Sequence, residues 1–198
     1  MRKKNICILG LGYVGLPLFF ELKKNRFKVI GYDNSMLKVK QLKKKYSNFK
    51  KFFFSKINSI KKSNVYIICV PTPLKESLEP DTSYIKSAVK ALISSLKKGD
   101  LIIFESTCYP GCTQEMIVKE IEKKKKFIFK KDFFVTYSPE RIDPANKKFQ
   151  IKNIPKVIGS NCAKSIEFTN NIYKKIFKKT YLLNNFEEAE LSKLIENV

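Results

Sequence analysis

Asn5-Ile6-Cys7-Ile8-Leu9-Gly10-Leu11-Gly12-Tyr13-Val14-Gly15, followed by Phe27-Lys28-Val29-Ile30-Gly31-Tyr32-Asp33, decides how this chain folds. The opening is a short apolar run that stops at a glycine, the pattern of a strand buried on both faces of a parallel sheet. Gly10, Gly12 and Gly15 fit the spacing G-x-G-x-x-G, which is weak evidence alone. Here it follows a predicted strand, opens a predicted helix over residues 13–24 (Val14, Leu18 and Leu22 on one face), and precedes a second strand that ends in an acid. Gly10 permits the tight turn, Gly12 lets backbone N–H groups approach a pyrophosphate, and Gly15 lets helix and strand pack closely. The helix N-terminus then faces the negative charge. Asp33 stands where a carboxylate accepts hydrogen bonds from the adenosine ribose hydroxyls, and it would repel a 2′-phosphate. The expected cofactor is therefore NAD rather than NADP.

The same alternation continues outward. Apolar strands are predicted at 65–70, 101–104, 133–137, 156–159 and 180–183. Helices are predicted at about 35–45, 83–96, 111–125 and 162–177, with a last one from about Phe186 still running at Val198. Strands alternating with helices predict an α/β, Rossmann-like, doubly wound parallel sheet. Phe49 to Phe54 reads only as an aromatic-basic connection. Glu187, Glu188 and Glu190 are read as first-turn acids at the positive end of the final helix. No stop signal closes that helix, so the chain is expected to end within the start of a longer one. Lys38 falls one turn into the helix after Asp33, near the ribose or simply in solvent. Thr72 and Thr107 follow strand ends on the cofactor side of such a sheet; from spacing alone each is equally a turn or cap hydroxyl.

Composition narrows the class. The 198 residues carry a formal net charge of +22 and no histidine, which removes histidine-based triads and the usual general base. The arginines are Arg2, Arg26 and Arg141, and all other positive charge is lysine spread along the chain. Base-reading proteins lean on the arginine fork, so the charge reads as compositional bias on solvated positions rather than a nucleic-acid surface. The five cysteines make an odd count without metal-ligand pairing, and read as core or loop thiols; no metal is expected. No apolar run is long enough to span a membrane, and the basic N-terminus leads straight into the glycine turn without a cleavage signal. A cytoplasmic location is expected.

Five blocks then occur in order: Gly-Leu-Gly-Tyr-Val-Gly-Leu-Pro (10–17), Val-Pro-Thr-Pro (70–73), Glu-Ser-Thr-Cys-Tyr-Pro-Gly-Cys-Thr (105–113), Tyr-Ser-Pro-Glu-Arg-Ile-Asp-Pro (137–144) and Glu-Leu-Ser-Lys-Leu-Ile-Glu-Asn (190–197). Together they resemble the UDP-glucose/GDP-mannose dehydrogenase family, and the Ser-Pro-Glu-Arg-Ile form resembles its UDP-N-acetylhexosamine branch. The resemblance implies oxidation of a sugar C6 alcohol to a carboxylate with two NAD⁺ and no metal, through a cysteine-bound thiohemiacetal and thioester, for surface-polysaccharide synthesis. It implies that Tyr13, Val14, Asp33, Lys38, Thr72 and Thr107 line the NAD site. Glu140, Arg141 and Ile142 would meet the UDP-sugar, Glu140 also assisting thioester hydrolysis. Lys193 and Asn197 would stabilise oxyanions near C6. Their i,i+4 spacing puts an ammonium and an amide on one helix face, as an oxyanion site needs, although a lysine so placed is more often solvated.

The departures from the family matter equally. Its nucleophilic cysteine belongs to a segment beyond residue 198, as do the rest of the central helix, usually the dimer contact, and the nucleotide-sugar domain. Pro144-Ala145-Asn146 stands where Pro-Gly-acid is usual. The expected organisation is an NAD-binding domain over 1–184 and the start of a central helical region over 185–198. Such a chain is expected to bind NAD but not complete the oxidation alone. It would be either part of a homodimeric enzyme, with a complementing C-terminal chain, or a remnant that binds only NAD or a partner.

Overall fold

The computed structural model describes residues 4–140 and 151–196. The glycine-rich stretch builds β1 (Asn5–Leu9), α1 (Gly15–Lys24) and β2 (Lys28–Tyr32). Helix α1 buries Leu18, Phe19 and Leu22 on one face and ends at Lys24, with Asn25 as its cap and Arg26 beyond it at a positive φ of 60° that bars further helical turns. Then come α2 (Met36–Lys45), β3 (Phe53–Phe54), β4 (Val65–Ile68), α3 (Ser83–Ile93) and β5 (Asp100–Phe104). They are followed by α4 (Glu120–Lys125), β6 (Phe133–Tyr137), β7 (Lys156–Gly159), α5 (Ala163–Tyr173), β8 (Thr180–Leu183) and α6 (Phe186–Glu196). Ser35 caps α2 by accepting the Lys38 N–H at 3.2 Å.

The strands form one eight-stranded sheet in the order β3-β2-β1-β4-β5-β6-β7-β8. Alternate side chains feed two apolar layers, which explains the continuous apolar runs. Cys7, Leu9, Tyr66, Ile68, Ile102 and Phe104 pack with α3, α4 and α6. Ile6, Ile8, Val65, Ile67, Leu101 and Ile103 pack with α1, α2 and α5 on the opposite face. The doubly wound sheet expected from the sequence is present. Its strands are parallel from β3 to β6, whereas β7 pairs with β6 antiparallel through Tyr137 and Gly159, and β8 follows β7 in parallel.

One local reading needs correction. Phe49 to Phe54 is a packed element, not a bare connection. Phe53 is fully buried in the edge strand β3, and Phe49 and Phe52 belong to a nest with Phe19, Phe20 and Tyr46. The aromatic rings there cover the outer end of the sheet. Among the described residues, no helix is long and apolar enough to cross a membrane.

Candidate active site at the carboxyl edge of the sheet

The chain leaves β1 toward β2 and β3, then returns to place β4 on β1's other side. Where the winding reverses, the loops after β1 and β4 diverge and leave a crevice. A cavity of about 450 Å³ lies there. Its walls include Gly10, Gly12, Tyr13 and Val14 after β1, Asp33 and Lys38 after β2, and Cys69 to Pro71 after β4. Tyr84, Ser87, Ala88 and Ala91 of α3 close the far side.

The glycines behave differently from one another. Gly10 has φ +94°, and a Cβ there would lie 2.5 Å from the Cys69 carbonyl oxygen. A Cβ on Gly15 would lie 1.9 Å from the Gly10 carbonyl oxygen, so Gly15 serves helix–strand packing. A Cβ on Gly12 would meet only the Lys38 Nζ, at 3.9 Å. Nothing in the fold itself crowds Gly12, so a bare backbone there leaves room for a molecule in the cavity. Together with the N-terminus of α1, that opening fits a pyrophosphate.

Asp33 is 7% exposed. Its Oδ2 accepts the Leu11 N–H at 3.0 Å and its Oδ1 accepts the Ser35 N–H at 3.1 Å. Lys38 Nζ lies 3.0 Å from Oδ2. The carboxylate thus ties the glycine loop to the start of α2 while facing the cavity, and Lys38 supplies a cation to the same corner. Gly10, Gly12, Tyr13, Val14, Asp33 and Lys38 line this one cavity, with Gly15 packed behind the Gly10 turn. Thr72 and Thr107 are half-buried after β4 and β5 but are not among the cavity-lining residues. Ser106 fastens those two strand ends by donating to the Val70 carbonyl at 2.6 Å.

A second polar centre lies along the same edge. Glu140 follows β6 and is buried, as are Glu105 after β5, Lys156 at the start of β7 and Tyr173 of α5. Lys156 Nζ donates to Glu105 Oε2 at 3.0 Å and to the Pro139 carbonyl at 3.1 Å, and lies 3.5 Å from Glu140 Oε2. The Tyr173 hydroxyl donates to the other Glu105 oxygen. Burial pushes the Glu105 carboxyl up to about 7, against the pull of Lys156. Burial alone would lower the Lys156 ammonium, but Glu105 and Glu140 lift it above the ordinary lysine value. Burial, then Glu105, push the Cys69 thiol well up.

Helix α6 carries Lys193, which is half-buried. The reading of Glu190 as a first-turn acid is corrected. Glu187 and Glu188 occupy that turn, where Asn185 and Glu188 cap one another. Glu190 is fully buried. Its Oε1 accepts the Thr113 N–H at 2.8 Å, the Thr113 hydroxyl at 2.6 Å and the Cys108 thiol at 3.7 Å, while Oε2 accepts the Gly111 N–H at 2.6 Å. The carboxylate clamps α6 to the loop that follows Thr107. Lys193, three residues on, shares that helix face. Arg141, Ile142 and Asn197, and the Pro144-Ala145-Asn146 departure, lie outside the described residues.

Lys156, Glu105, Tyr173 and Glu190 escaped sequence reasoning as site residues. A lysine leading an apolar strand carries no distinguishing mark in a lysine-rich chain. The small residues Ser87, Ala88 and Ala91, spaced along α3, were the available sign of a helix that borders a cavity.

Residues 4–177 match the family model described as the UDP-glucose/GDP-mannose dehydrogenase family, NAD binding domain. The chain is 37% identical over 206 residues to UDP-N-acetyl-D-glucosamine 6-dehydrogenase of Salmonella typhi, covering 97% of this chain and 48% of that protein. It is 36% identical to the enzyme of the same name from Pseudomonas aeruginosa, covering 100% of this chain and 50% of the relative. Among solved structures, the UDP-D-ManNAc dehydrogenase of Pyrococcus horikoshii superposes with TM-score 0.90 at 30% identity, over 98% of this chain and 50% of that one. The chain spans about half the length of these relatives.

Proposed function

The chain belongs to the UDP-glucose/GDP-mannose dehydrogenase family and carries its NAD-binding domain, and from that premise we propose that it is the cofactor half of a UDP-N-acetylhexosamine 6-dehydrogenase. The observation that carries the reading is the cavity at the winding reversal, with Gly12 open, Asp33 and Lys38 at one corner and the N-terminus of α1 at another. Asp33 receives the adenosine ribose and disfavours a 2′-phosphate. Gly10, Gly12, Tyr13 and Val14 hold the pyrophosphate, and Thr72 and Thr107 complete the nicotinamide end. NAD⁺ supplies the hydride acceptor, used twice to take the C6 alcohol to the uronic acid.

The sugar side falls to the second polar centre and α6. Glu140, with Arg141 and Ile142, meets the UDP-sugar, and Glu140 serves as the base for hydrolysis of the thioester. Lys193 and Asn197 hold the C6 oxyanion from one face of α6. In this organisation residues 1–184 form the NAD-binding domain and 185–198 begin the central helix. The thiol that captures the aldehyde belongs to the complementary half of the enzyme. Cys7, Cys69, Cys108 and Cys112 are buried here, a poor setting for a thiolate. The working enzyme is a cytoplasmic homodimer that takes a UDP-sugar for surface-polysaccharide synthesis.

The experiment is to follow NADH formation from UDP-N-acetylglucosamine and NAD⁺ with the chain alone and with a C-terminal half supplied from the Pseudomonas aeruginosa relative. Turnover only in the mixture supports the reading. Uronic acid formed at full rate by the chain alone contradicts the division of labour.

A further inference from the structure

Lys156 is the one buried lysine among the described residues, at 2% exposure. Burying an ammonium costs several kcal/mol, and apolar residues of equal volume commonly serve stability as well or better. The site is nevertheless built around it. Tyr173 and Phe177 flank the ammonium with ring centroids at 5.6 and 5.4 Å; it donates to Glu105 and to the Pro139 carbonyl, and Glu140 Oε2 lies 3.5 Å away as an ion-pair partner. Glu105 is itself held by the Tyr173 hydroxyl.

The reversed direction of β7 makes this possible. Tyr137 pairs with Gly159, and continuing that antiparallel register places Lys156 opposite Glu140. In a parallel β7 the first residue would lie at the other edge of the sheet, far from the cavity loops. The lysine is therefore delivered across from Glu140 by strand topology, and fixed from behind by a carboxylate that has no access to substrate, since Glu105 is 1% exposed.

We infer that Lys156 is a positioning residue: anchored by Glu105, its ammonium fixes the carboxylate of Glu140 for that residue's part in the reaction. The inference rests on the role given to Glu140 above. A carboxylate acting as a base must be held within hydrogen-bond reach of its target, and a charged partner on a rigid strand limits its rotamers.

The test is carbon-detected NMR of the full chain labelled with ¹³Cδ-glutamate, the Glu140 resonance being assigned by its loss in Glu140→Gln. Lys156→Met is expected to shift the Glu140 ¹³Cδ resonance by more than its linewidth, and Lys156→Arg to return it most of the way. Glu105→Gln, which keeps the ammonium but loosens its anchor, is expected to give a smaller shift in the same direction and covers the case that Lys156→Met does not fold. A lysine that served only packing would give Lys156→Arg, which crowds the same space, as large a displacement of that resonance as Lys156→Met. An unmoved Glu140 signal in a folded Lys156→Met or Glu105→Gln protein overturns the inference. NAD titration of the same samples keeps the two readings apart. Failure of the wild-type chain to bind NAD removes the cofactor reading, while the Glu140 resonance alone decides for or against Lys156.

Discussion

Replacing Glu190 with alanine removes one carboxylate and strands four donors: the N–H groups of Gly111 and Thr113, the Thr113 hydroxyl and the Cys108 thiol. Hydrogen bonds to a charged group contribute about 1.5–3 kcal/mol each, and an unsatisfied buried donor costs about 1–3 kcal/mol. These terms are not additive, because the loop can shift and water can enter the space left by the side chain. A loss of about 3–5 kcal/mol is expected, in line with removal of one partner from other buried charged networks. For a domain of this size that is a fall in melting temperature of about 6–20 °C. Glu190→Gln keeps one acceptor oxygen but turns an amide N–H₂ toward donors, so about half the loss is expected. The assay is urea unfolding of the three proteins, with NAD affinity measured in parallel. The cavity residues are untouched, so affinity should hold within twofold. A Glu190→Ala protein as stable as wild type, within about 0.5 kcal/mol, refutes the clamp, because surface substitutions alone stay in that range.

Gly15→Ala drives a methyl into the Gly10 carbonyl and is expected to destabilise the chain by at least about 1–3 kcal/mol, read by thermal denaturation. Asp33→Asn leaves an acceptor for Leu11 or Ser35 but loses the charge, so calorimetry should show NAD affinity down about 10–100-fold, as for a lost charge-assisted bond, with a narrowed preference over NADP. Glu105 holds its proton up to about 7 in the folded chain against 4.5 in its ordinary state. A raised acid binds protons more tightly when folded, so its contribution to stability falls as pH rises through about 4.5 to 7. Unfolding curves across that window should show wild type losing ground to Glu105→Gln as pH increases, and parallel curves would refute the assignment.

The first half of the fold is legible because its signals are local. A strand, three spaced glycines, a helix and an acid at the end of the next strand each carry their own physical cause, and Gly10 to Asp33 assemble as their spacing demands. The centre around Lys156 is not legible in that way. It depends on the direction in which β7 joins the sheet, and an apolar strand reads the same in either direction. Glu190 escaped for a related reason: an acid near a helix start has an adequate local explanation, and only the docking of α6 on residues 108–113 shows that its side chain turns inward. Phe49 to Phe54 looked like a connection because a two-residue edge strand has no periodicity to detect, although its rings complete a core layer.

Calorimetric titration of NAD into the wild-type chain and into Gly12→Val tests whether the winding reversal holds NAD through an opening kept clear by Gly12. Saturable one-to-one binding to wild type is expected. Gly12→Val is expected to lose at least tenfold in affinity with little change in melting temperature, because the added side chain faces the cavity rather than the core. No binding of NAD by the folded wild-type chain, or equal binding by Gly12→Val, would contradict this mode of binding.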